Sequence, residues 1–251
     1  MKISISRNLH VSALVNSVKY KRILIKISGE VLQGTQSFGI ENEAVTRIVK
    51  ELVEIHTQGV DIGLVIGGGN FFRGATSAVD GMKRFQADEI GMLATVQNAI
   101  VLHAKLDEYH VHSEIFTAKP VNNIGGCFTA EGAQSALRAG KICVFAGGTG
   151  NPYFTTDTAA VLRALEIEAD ILLKGTKVDG VYDRDPVKFP DATIFRSITY
   201  KDYIQLNLKV LDLTAISLAK NHNLKIRVFN IREKGNILKA VSEDNFGSII
   251  E

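Results

Sequence analysis

The feature that most constrains the fold of this chain is a regular alternation of short apolar runs with longer segments of helical periodicity. Residues 22–27 and 60–66 are mostly apolar, which predicts strands buried on both faces of a sheet. Between them, apolar residues recur at helical spacing from Val45 to Ile55, and Gly59 ends the helix that this spacing predicts. We therefore expect an α/β fold, a three-layer α/β/α sandwich with a central, mostly parallel sheet.

The same alternation continues to the end of the chain. Helices are expected near residues 85–106, 130–138, 158–169 and 210–220, and strands near residues 113–118, 141–146, 170–173, 225–229 and 248–250. No repeat of fixed period and no low-complexity linker interrupts this order, so residues 20–251 are expected to form one domain. Residues 1–19 contain no acidic residue and are interpreted as an extension without chemistry rather than as a transit peptide.

Composition and charge exclude several classes of function. With 251 residues and 45% hydrophobic content, the chain is long enough to bury a full core. A formal net charge of +2, with basic residues spread along the chain, gives no basis for binding nucleic acid or a membrane surface. The two cysteines, Cys127 and Cys143, are expected to be reduced, as in a cytoplasmic protein. The six histidines are scattered, so no metal site is predicted.

A polar, glycine-rich segment at residues 147–157 carries the strongest functional signal. It reads Gly-Gly-Thr-Gly-Asn-Pro-Tyr-Phe-Thr-Thr-Asp and lies between a predicted strand and a predicted helix. The free backbone N–H groups of such a turn favour an anionic or multiply polar ligand. A purely structural turn, with an N-cap at its threonines or aspartate, is the alternative, but it needs only one or two of these residues.

Two further glycine clusters follow predicted strands. Lys26 precedes Ser28 and Gly29 at the end of the first strand, and burying its ammonium group would be costly unless it meets an anion. Three glycines at residues 67–69 follow the second strand, and Arg73 comes one turn later, where it could pair with phosphate oxygens. A solvated lysine or arginine is the alternative at each position. Because ligands of open parallel sheets bind at the carboxyl ends of strands, we expect these clusters to line one crevice.

A polar loop from residue 174 to residue 186 follows a third predicted strand. Tyr182 could stack on a base, while Asp179 and Asp185 could accept hydrogen bonds from ribose or amine groups. The chain lacks both G-x-G-x-x-G and G-x-x-x-x-G-K-[ST], the patterns of dinucleotide-binding folds and of P-loops. A nicotinamide-dependent oxidoreductase and a P-loop kinase are therefore disfavoured.

Taken in order, these motifs resemble those of the bacterial uridylate (UMP) kinases of the amino-acid-kinase superfamily. The matching segments lie at residues 26–30, 34–39, 66–74, 91–95, 148–157, 174–186 and 227–230. The run Gly-Thr-Gly-Asn-Pro-aromatic-Phe-Thr-Thr-Asp is specific to this branch of the superfamily. The resemblance implies a carbamate-kinase-like catalytic domain that converts ATP and UMP to ADP and UDP in pyrimidine nucleotide biosynthesis. It also implies a homohexamer that GTP activates and UTP inhibits, with Mg²⁺ bound together with ATP.

The resemblance and the chemistry of phosphoryl transfer together assign roles to individual residues. The catalytic residues are expected to be Lys26, Asp157 and Lys174. ATP is expected to contact Lys26, Ile27, Ser28, Gly29, Gly69, Arg73, Thr176, Tyr182 and Asp185. UMP is expected to contact Gly68, Asp88, Thr149, Gly150, Asn151, Pro152, Tyr153, Phe154, Thr155 and Thr156. The implied GTP segment consists of Gly34, Thr35, Gln36, Ser37, Phe38 and Gly39, and Asp212 is given a supporting role.

Two other functions remain open at this point. A kinase of the same superfamily could act on a carboxylate such as aspartate or acetylglutamate, but it would need donors for an α-carboxylate in place of the Thr-Thr-Asp segment. A non-catalytic nucleotide-binding protein on the same fold would be expected to lack Lys26 or Asp157, and both are present.

Overall fold

A computed structural model describes residues 18–72 and 80–251 of the chain, and one large sheet organises them. The strands of that sheet are β1 (Arg22–Ile27), β2 (Asp61–Ile66), β3 (Ser113–Thr117), β4 (Gly126–Cys127), β5 (Ile142–Ala146), β6 (Ile171–Thr176), β9 (Ser197–Ile198), β10 (Ile226–Asn230) and β11 (Ser248–Ile250). A separate antiparallel pair consists of β7 (Val181–Tyr182) and β8 (Ile194–Phe195). The helices are α1 (Gly29–Leu32), α2 (Asn42–Thr57), α3 (Arg84–Glu108), α4 (Ala130–Arg138), α5 (Thr156–Glu166), α6 (Tyr200–Gln205), α7 (Leu213–Asn221) and α8 (Asn236–Ser242).

The spatial order of the strands is β4-β3-β5-β2-β1-β6-β10-β11-β9. Neighbouring strands are parallel throughout, except that β10 and β11 are antiparallel. Because β1 pairs with both β2 and β6, the carboxyl ends of these three strands lie side by side at one edge. The mostly parallel sheet with helices on both faces confirms the predicted fold class.

Alternate residues of the central strands pack into two apolar layers. On β1, Ile23 and Ile25 belong to the layer that also contains core residues of α2, α3 and α8. Leu24 belongs to the opposite layer, which contains core residues of α4, α5 and α7. Since side chains alternate along a strand, Lys26 continues the row of Leu24 on the α5 side of the sheet. The alternation of side chains along β1 therefore directs Lys26 towards α5, the helix that follows the glycine-rich segment.

Each predicted strand and helix is present within the described residues, with boundaries shifted by a few residues. Gly59 follows α2 with a φ of 86°, the left-handed conformation that glycine adopts without strain at a helix C-terminus. The short helices α1, α6 and α8 were not predicted, because their 4 to 7 residues are too few to show a helical period. Among the described residues, no helix has the length and apolar character needed to span a membrane.

Most of the predicted extension, residues 1–17, lies outside the described residues. Its last residues contact the rest of the structure: the backbone N–H of Lys19 donates to the carbonyl of Val241, and its ammonium group pairs with Asp244. The domain boundary at residue 20 stays a prediction.

Candidate active site

Two lysines lie side by side where the central strands end. Lys26 on β1 and Lys174 on β6 are register partners in the parallel pair, so their side chains leave the same face of the sheet. Their residues are 9% and 7% exposed, which makes both ammonium groups costly to bury without a counter-charge. Asp157, in the first turn of α5, supplies it. Its Oδ1 lies 2.8 Å from Nζ of Lys26, and its Oδ2 contacts Nζ of Lys174.

The electrostatics of this Lys26–Asp157–Lys174 cluster follow from burial and from the unequal number of charges. Burial by itself would raise the pKa of the Asp157 carboxyl, but the two lysines outweigh it and hold that pKa at about 2. At Lys174, burial and then repulsion from Lys26 lower the pKa of the ammonium group to about 8, although Asp157 acts in the opposite direction. One carboxylate thus faces two lysines, and the excess positive charge favours an incoming anion.

The start of α5 is fixed by a hydrogen-bonded link to α7. Thr155 caps α5 by accepting the backbone N–H of Asp157 at 3.0 Å. The hydroxyls of Thr155 and Thr158 donate to Asp212, which also caps α7 by accepting the N–H of Ala215 at 2.8 Å. The carbonyl of Val210, in the loop before α7, accepts from Nζ of Lys174 at 2.6 Å. Asp212 therefore supports the cluster through the threonines, and its part in the reaction stays a prediction.

The two glycine clusters at the ends of β1 and β2 pack directly against each other. A Cβ on Gly29 would lie 2.6 Å from the carbonyl oxygen of Gly67 and 2.9 Å from the backbone N of Gly69. A Cβ on Gly68 would lie 2.7 Å from the carbonyl oxygen of Gly91 on α3. Only glycine fits at these positions without movement of the backbone. The glycine clusters that follow β1 and β2 were expected to lie together, and this contact is observed.

Two cavities border the segments that carry the lysine–aspartate cluster. The larger, of about 650 Å³, is lined by Lys26, Ser28 and Lys174 together with the expected Thr176, Tyr182 and Asp185. The smaller, of about 300 Å³, is lined by residues of the second glycine cluster, of α3 and of the 147–157 segment. Thr155 and Thr156, which line the smaller cavity, directly precede Asp157. The cluster thus contributes both lysines to the wall of the larger cavity, and Asp157 is joined in sequence to two residues of the smaller one.

Most of the residues assigned to UMP line the smaller cavity. These are Gly68, Asp88, Thr149, Asn151, Phe154, Thr155 and Thr156. Gly150, Pro152 and Tyr153 do not line it; Gly150 packs against Ala118, and the Tyr153 side chain is 67% exposed. Gly150 and Tyr153 have positive φ values, 78° and 71°, and the expectation that the whole segment contacts UMP stays a prediction.

Three of the described residues assigned to ATP, Ile27, Gly29 and Gly69, do not line the larger cavity. The side chain of Ile27 is completely buried in the apolar layer on the α2 side, because it alternates with Lys26 along β1. Gly69 lines the smaller cavity rather than the larger one, since it belongs to the turn after β2. Arg73 lies outside the described residues.

Asp88 on α3 is engaged within the protein. Its carboxylate accepts the backbone N–H of Tyr153 at 2.8 Å and is bound by Nε of Arg84 at 2.8 and 2.9 Å. Arg84 also lines the smaller cavity, and the sequence analysis missed it. Its position one helical turn before Asp88 was the available signal.

Outside the predicted loop at residues 174–186, the larger cavity contains three basic residues that sequence reasoning also missed, Lys188, Lys209 and Arg232. Arg232 follows β10, and β10 is parallel to β6 in the sheet. The rule that ligands gather at the carboxyl ends of parallel strands could therefore have found Arg232. Lys209 precedes α7 in an irregular loop and carried no such signal. Among the described residues, no group of three His, Cys, Asp or Glu side chains could hold a metal ion.

The segment to which the resemblance assigns GTP, residues 34–39, forms an exposed loop between α1 and α2. Phe38 is 63% exposed and makes an edge-to-face contact with Phe71 at 5.6 Å between ring centroids. The backbone N–H and carbonyl of Gly39 both bond to Asn70, at 3.0 Å each. The loop is therefore attached to the turn that carries the second glycine cluster.

Comparison with known proteins gives one consistent result. Residues 21–230 match the model of the amino acid kinase family. The chain is 48% identical over 231 residues to the uridylate kinase of Yersinia pestis (strain Pestoides F), covering 92% of this chain and 96% of the relative. The uridylate kinase of Serratia proteamaculans (strain 568) has the same identity and coverage.

Solved structures give the same family. The UMP kinase from Bacillus anthracis superposes with a TM-score of 0.89 at 34% identity, covering 92% of this chain and 96% of that one. The UMP kinase from Ureaplasma parvum gives a TM-score of 0.87 at 33% identity, covering 93% and 100%.

Proposed function

The chain belongs to the amino acid kinase family, and we propose that it is a nucleoside monophosphate kinase that transfers the γ-phosphoryl group of ATP to UMP. The observation that carries this function is the buried Lys26–Asp157–Lys174 cluster, whose lysines line a large cavity and whose aspartate directly follows two residues that line a small one. Phosphoryl transfer needs mainly alignment of the reactants and neutralisation of charge on the moving group. A positively charged cluster on the wall of the larger cavity, close in sequence to residues of the smaller one, supplies both.

ATP, as its Mg²⁺ complex, is proposed to occupy the larger cavity. Tyr182 and Asp185 line this cavity and are assigned to the nucleoside, while Lys26 and Lys174 are assigned to the β- and γ-phosphates. Asp157 does not reach for substrate in this account. It holds the two ammonium groups in place, since both of its oxygens are engaged by lysines.

UMP is proposed to occupy the smaller cavity, with its phosphate directed at the cluster. The volume of about 300 Å³ suits a mononucleotide better than a nucleoside triphosphate. Gly68 and Thr156 line this cavity and are assigned as donors to phosphate oxygens, since the hydroxyl of Thr155 already donates to Asp212. Bringing the acceptor phosphate and the γ-phosphate to opposite sides of Lys26 places the two reacting groups end to end.

A panel of acceptors tests the function directly. ADP release should be measured with UMP, CMP, aspartate, glutamate and N-acetylglutamate at equal concentrations, with ATP and Mg²⁺. The account expects turnover with UMP and none with the carboxylates. Turnover with a carboxylate alone would establish the rival kinase, and ATP binding without turnover of any acceptor would establish a nucleotide-binding protein.

The pH dependence should report the charge of Lys174. The value of kcat/KM for ATP is expected to fall as pH rises through about 8, because Lys174 loses its proton there and its attraction for phosphate with it. In Lys174→Arg the positive charge persists at higher pH, so the fall in kcat/KM should occur at a higher pH or disappear. This expectation concerns the shape of the pH profile and not the absolute rate of the variant. A wild-type profile that stays flat between about pH 7 and pH 10 would remove the charged lysine from the account.

Asp88 should control UMP binding more than turnover. Asp88→Asn is expected to raise KM for UMP about tenfold, since it weakens a charge-assisted hydrogen-bond set at the smaller cavity. KM for ATP should change much less. Asp107→Asn on the same helix is the matched control, because Asp107 lines neither cavity. An effect confined to ATP would show that the two subsites are exchanged.

The regulation and assembly implied by the resemblance remain proposals. GTP activation through residues 34–39 and UTP inhibition would be measured by initial rates with each effector.

A homohexamer is supported by exposed apolar residues at helical spacing on α3, namely Ile90, Leu93 and Ile100, which a second copy could cover. Light scattering gives the mass directly. A cytoplasmic location is supported by two free cysteines, of which Cys143 is buried.

A further inference from the structure

Two asparagine side chains form a buried reciprocal pair behind the smaller cavity. Asn98, on α3, is completely buried, and Asn70, in the turn after β2, is 2% exposed. Nδ2 of Asn98 donates to Oδ1 of Asn70 at 2.8 Å, and Nδ2 of Asn70 donates to Oδ1 of Asn98 at 2.9 Å. Each amide uses its second N–H on a backbone carbonyl, that of Gly67 at 2.7 Å for Asn98 and that of Gly39 at 3.0 Å for Asn70. All four amide N–H groups are therefore satisfied.

This pair joins three parts of the chain that no strand pairing connects. They are helix α3, the glycine turn at residues 67–69 and the exposed loop at residues 34–39. Oδ1 of Asn70 also limits the space beside Gly29, where a Cβ would lie 2.4 Å from it. A shift of the pair would therefore be transmitted to the ends of both β1 and β2.

A second polar residue of α3 holds the other glycine turn of the same cavity. Thr95, 2% exposed and one helical turn before Asn98, accepts the backbone N–H of Gly147 through its hydroxyl at 2.7 Å. Gly147 opens the segment that supplies Thr149, Asn151 and Phe154 to the cavity. One buried face of α3 thus sets the position of both backbone turns that border the smaller cavity.

We propose that the Asn98–Asn70 amide pair is a positioning device for the phosphate acceptor, which fixes the glycine turn at residues 67–69 and ties the loop at residues 34–39 to it. The proposal rests on the assignment of UMP to the smaller cavity. Neither asparagine lines a cavity, so both act through the backbone rather than by touching a substrate. Apolar side chains would fill the same space, but they could not hold the carbonyls of Gly67 and Gly39.

Asn98→Asp is the sharpest test, because it keeps the shape of the side chain while replacing the N–H₂ donor by an oxygen that faces the carbonyl of Gly67. We expect KM for UMP to rise about tenfold, while KM for ATP changes less than about threefold. Hydrogen exchange at the Gly39 amide, which bonds to Asn70, should become faster. Asn70→Asp should give the same two effects and serves as the second variant if Asn98→Asp does not fold.

Gln134→Glu is the matched control. Nε2 of Gln134 on α4 donates to the carbonyl of Glu166 at 2.8 Å, and Gln134 lines neither cavity. This change should leave both KM values and the Gly39 exchange rate unaltered. A purely structural role for the asparagines would lower the melting temperature without separating the two KM values, and that outcome would overturn the proposal. If the wild-type protein does not phosphorylate UMP, the proposed function fails instead, and the exchange measurement still tests the link to the loop.

Discussion

Replacing Lys26 with alanine is expected to lower the turnover of UMP phosphorylation about 100-fold or more, the scale of losing one donor that stabilises the transition state. The reason is position: Lys26 lines the larger cavity and pairs at 2.8 Å with Asp157, which directly follows two residues of the smaller cavity. The fold should survive, because Asp157 keeps its contact with Lys174 and the cluster loses only its excess positive charge. The variant therefore separates chemistry from stability.

The measurement is kcat at saturating ATP and UMP, together with a thermal melt. Lys50→Ala provides the control, since Lys50 is an exposed lysine of α2 that lines neither cavity. Turnover should stay at the wild-type level in the control. A Lys26→Ala variant that is folded and equally fast would exclude Lys26 from phosphoryl transfer.

Asp157→Asn is expected to damage both stability and activity, because it removes the negative charge that two buried lysines share. Removing one partner of a buried ion pair costs about 3–5 kcal/mol, since the remaining charge stays buried without compensation. Here two ammonium groups would repel each other. Turnover should fall about 100-fold or more, since both phosphate contacts lose their support.

A second substitution distinguishes the two effects. In Asp157→Asn/Lys174→Met only one buried ammonium group remains, so the free energy of unfolding should recover in large part relative to Asp157→Asn. Turnover should not recover. Recovery of both would mean that Asp157 serves stability alone and that Lys174 has no part in the reaction.

The acid stability of the wild-type protein gives an independent check on Asp157. Its pKa is about 2 in the folded protein, below the ordinary value of 3.8, so its contribution to stability is present above about pH 4. That contribution is lost as pH falls through about 2. The Asn variant should lack this part of the acid transition.

The strands and the glycine clusters could be predicted because each leaves a local signal. Apolar runs mark β1 and β2, and the strand-end rule correctly indicated that Gly29 and the glycines at residues 67–69 meet. The register that sets Lys26 beside Lys174 could not be predicted, because β1 and β6 become neighbours only through the crossovers that fix the strand order. The resemblance supplied the roles of these lysines; the geometry supplied their pairing.

Other residues show where local patterns stop being informative. Tyr153 belongs to the most specific motif of the chain, yet it is largely exposed and does not line the smaller cavity. The Asn70–Asn98 pair had no visible signal at all, because a buried asparagine on a helix looks like an exposed one until its partners are known. Such contacts between distant segments are set by packing and not by the residues beside them.

The central claim is that two nucleotides meet end to end at the Lys26–Asp157–Lys174 cluster. A bisubstrate compound, adenosine and uridine joined through their 5′ positions by five phosphates, tests it most directly in inhibition kinetics. The account predicts that this compound competes with both ATP and UMP and binds more tightly than either nucleotide, because it fills both cavities and presents its phosphates to Lys26. Competition with ATP alone, at an affinity no better than that of ATP, would contradict it.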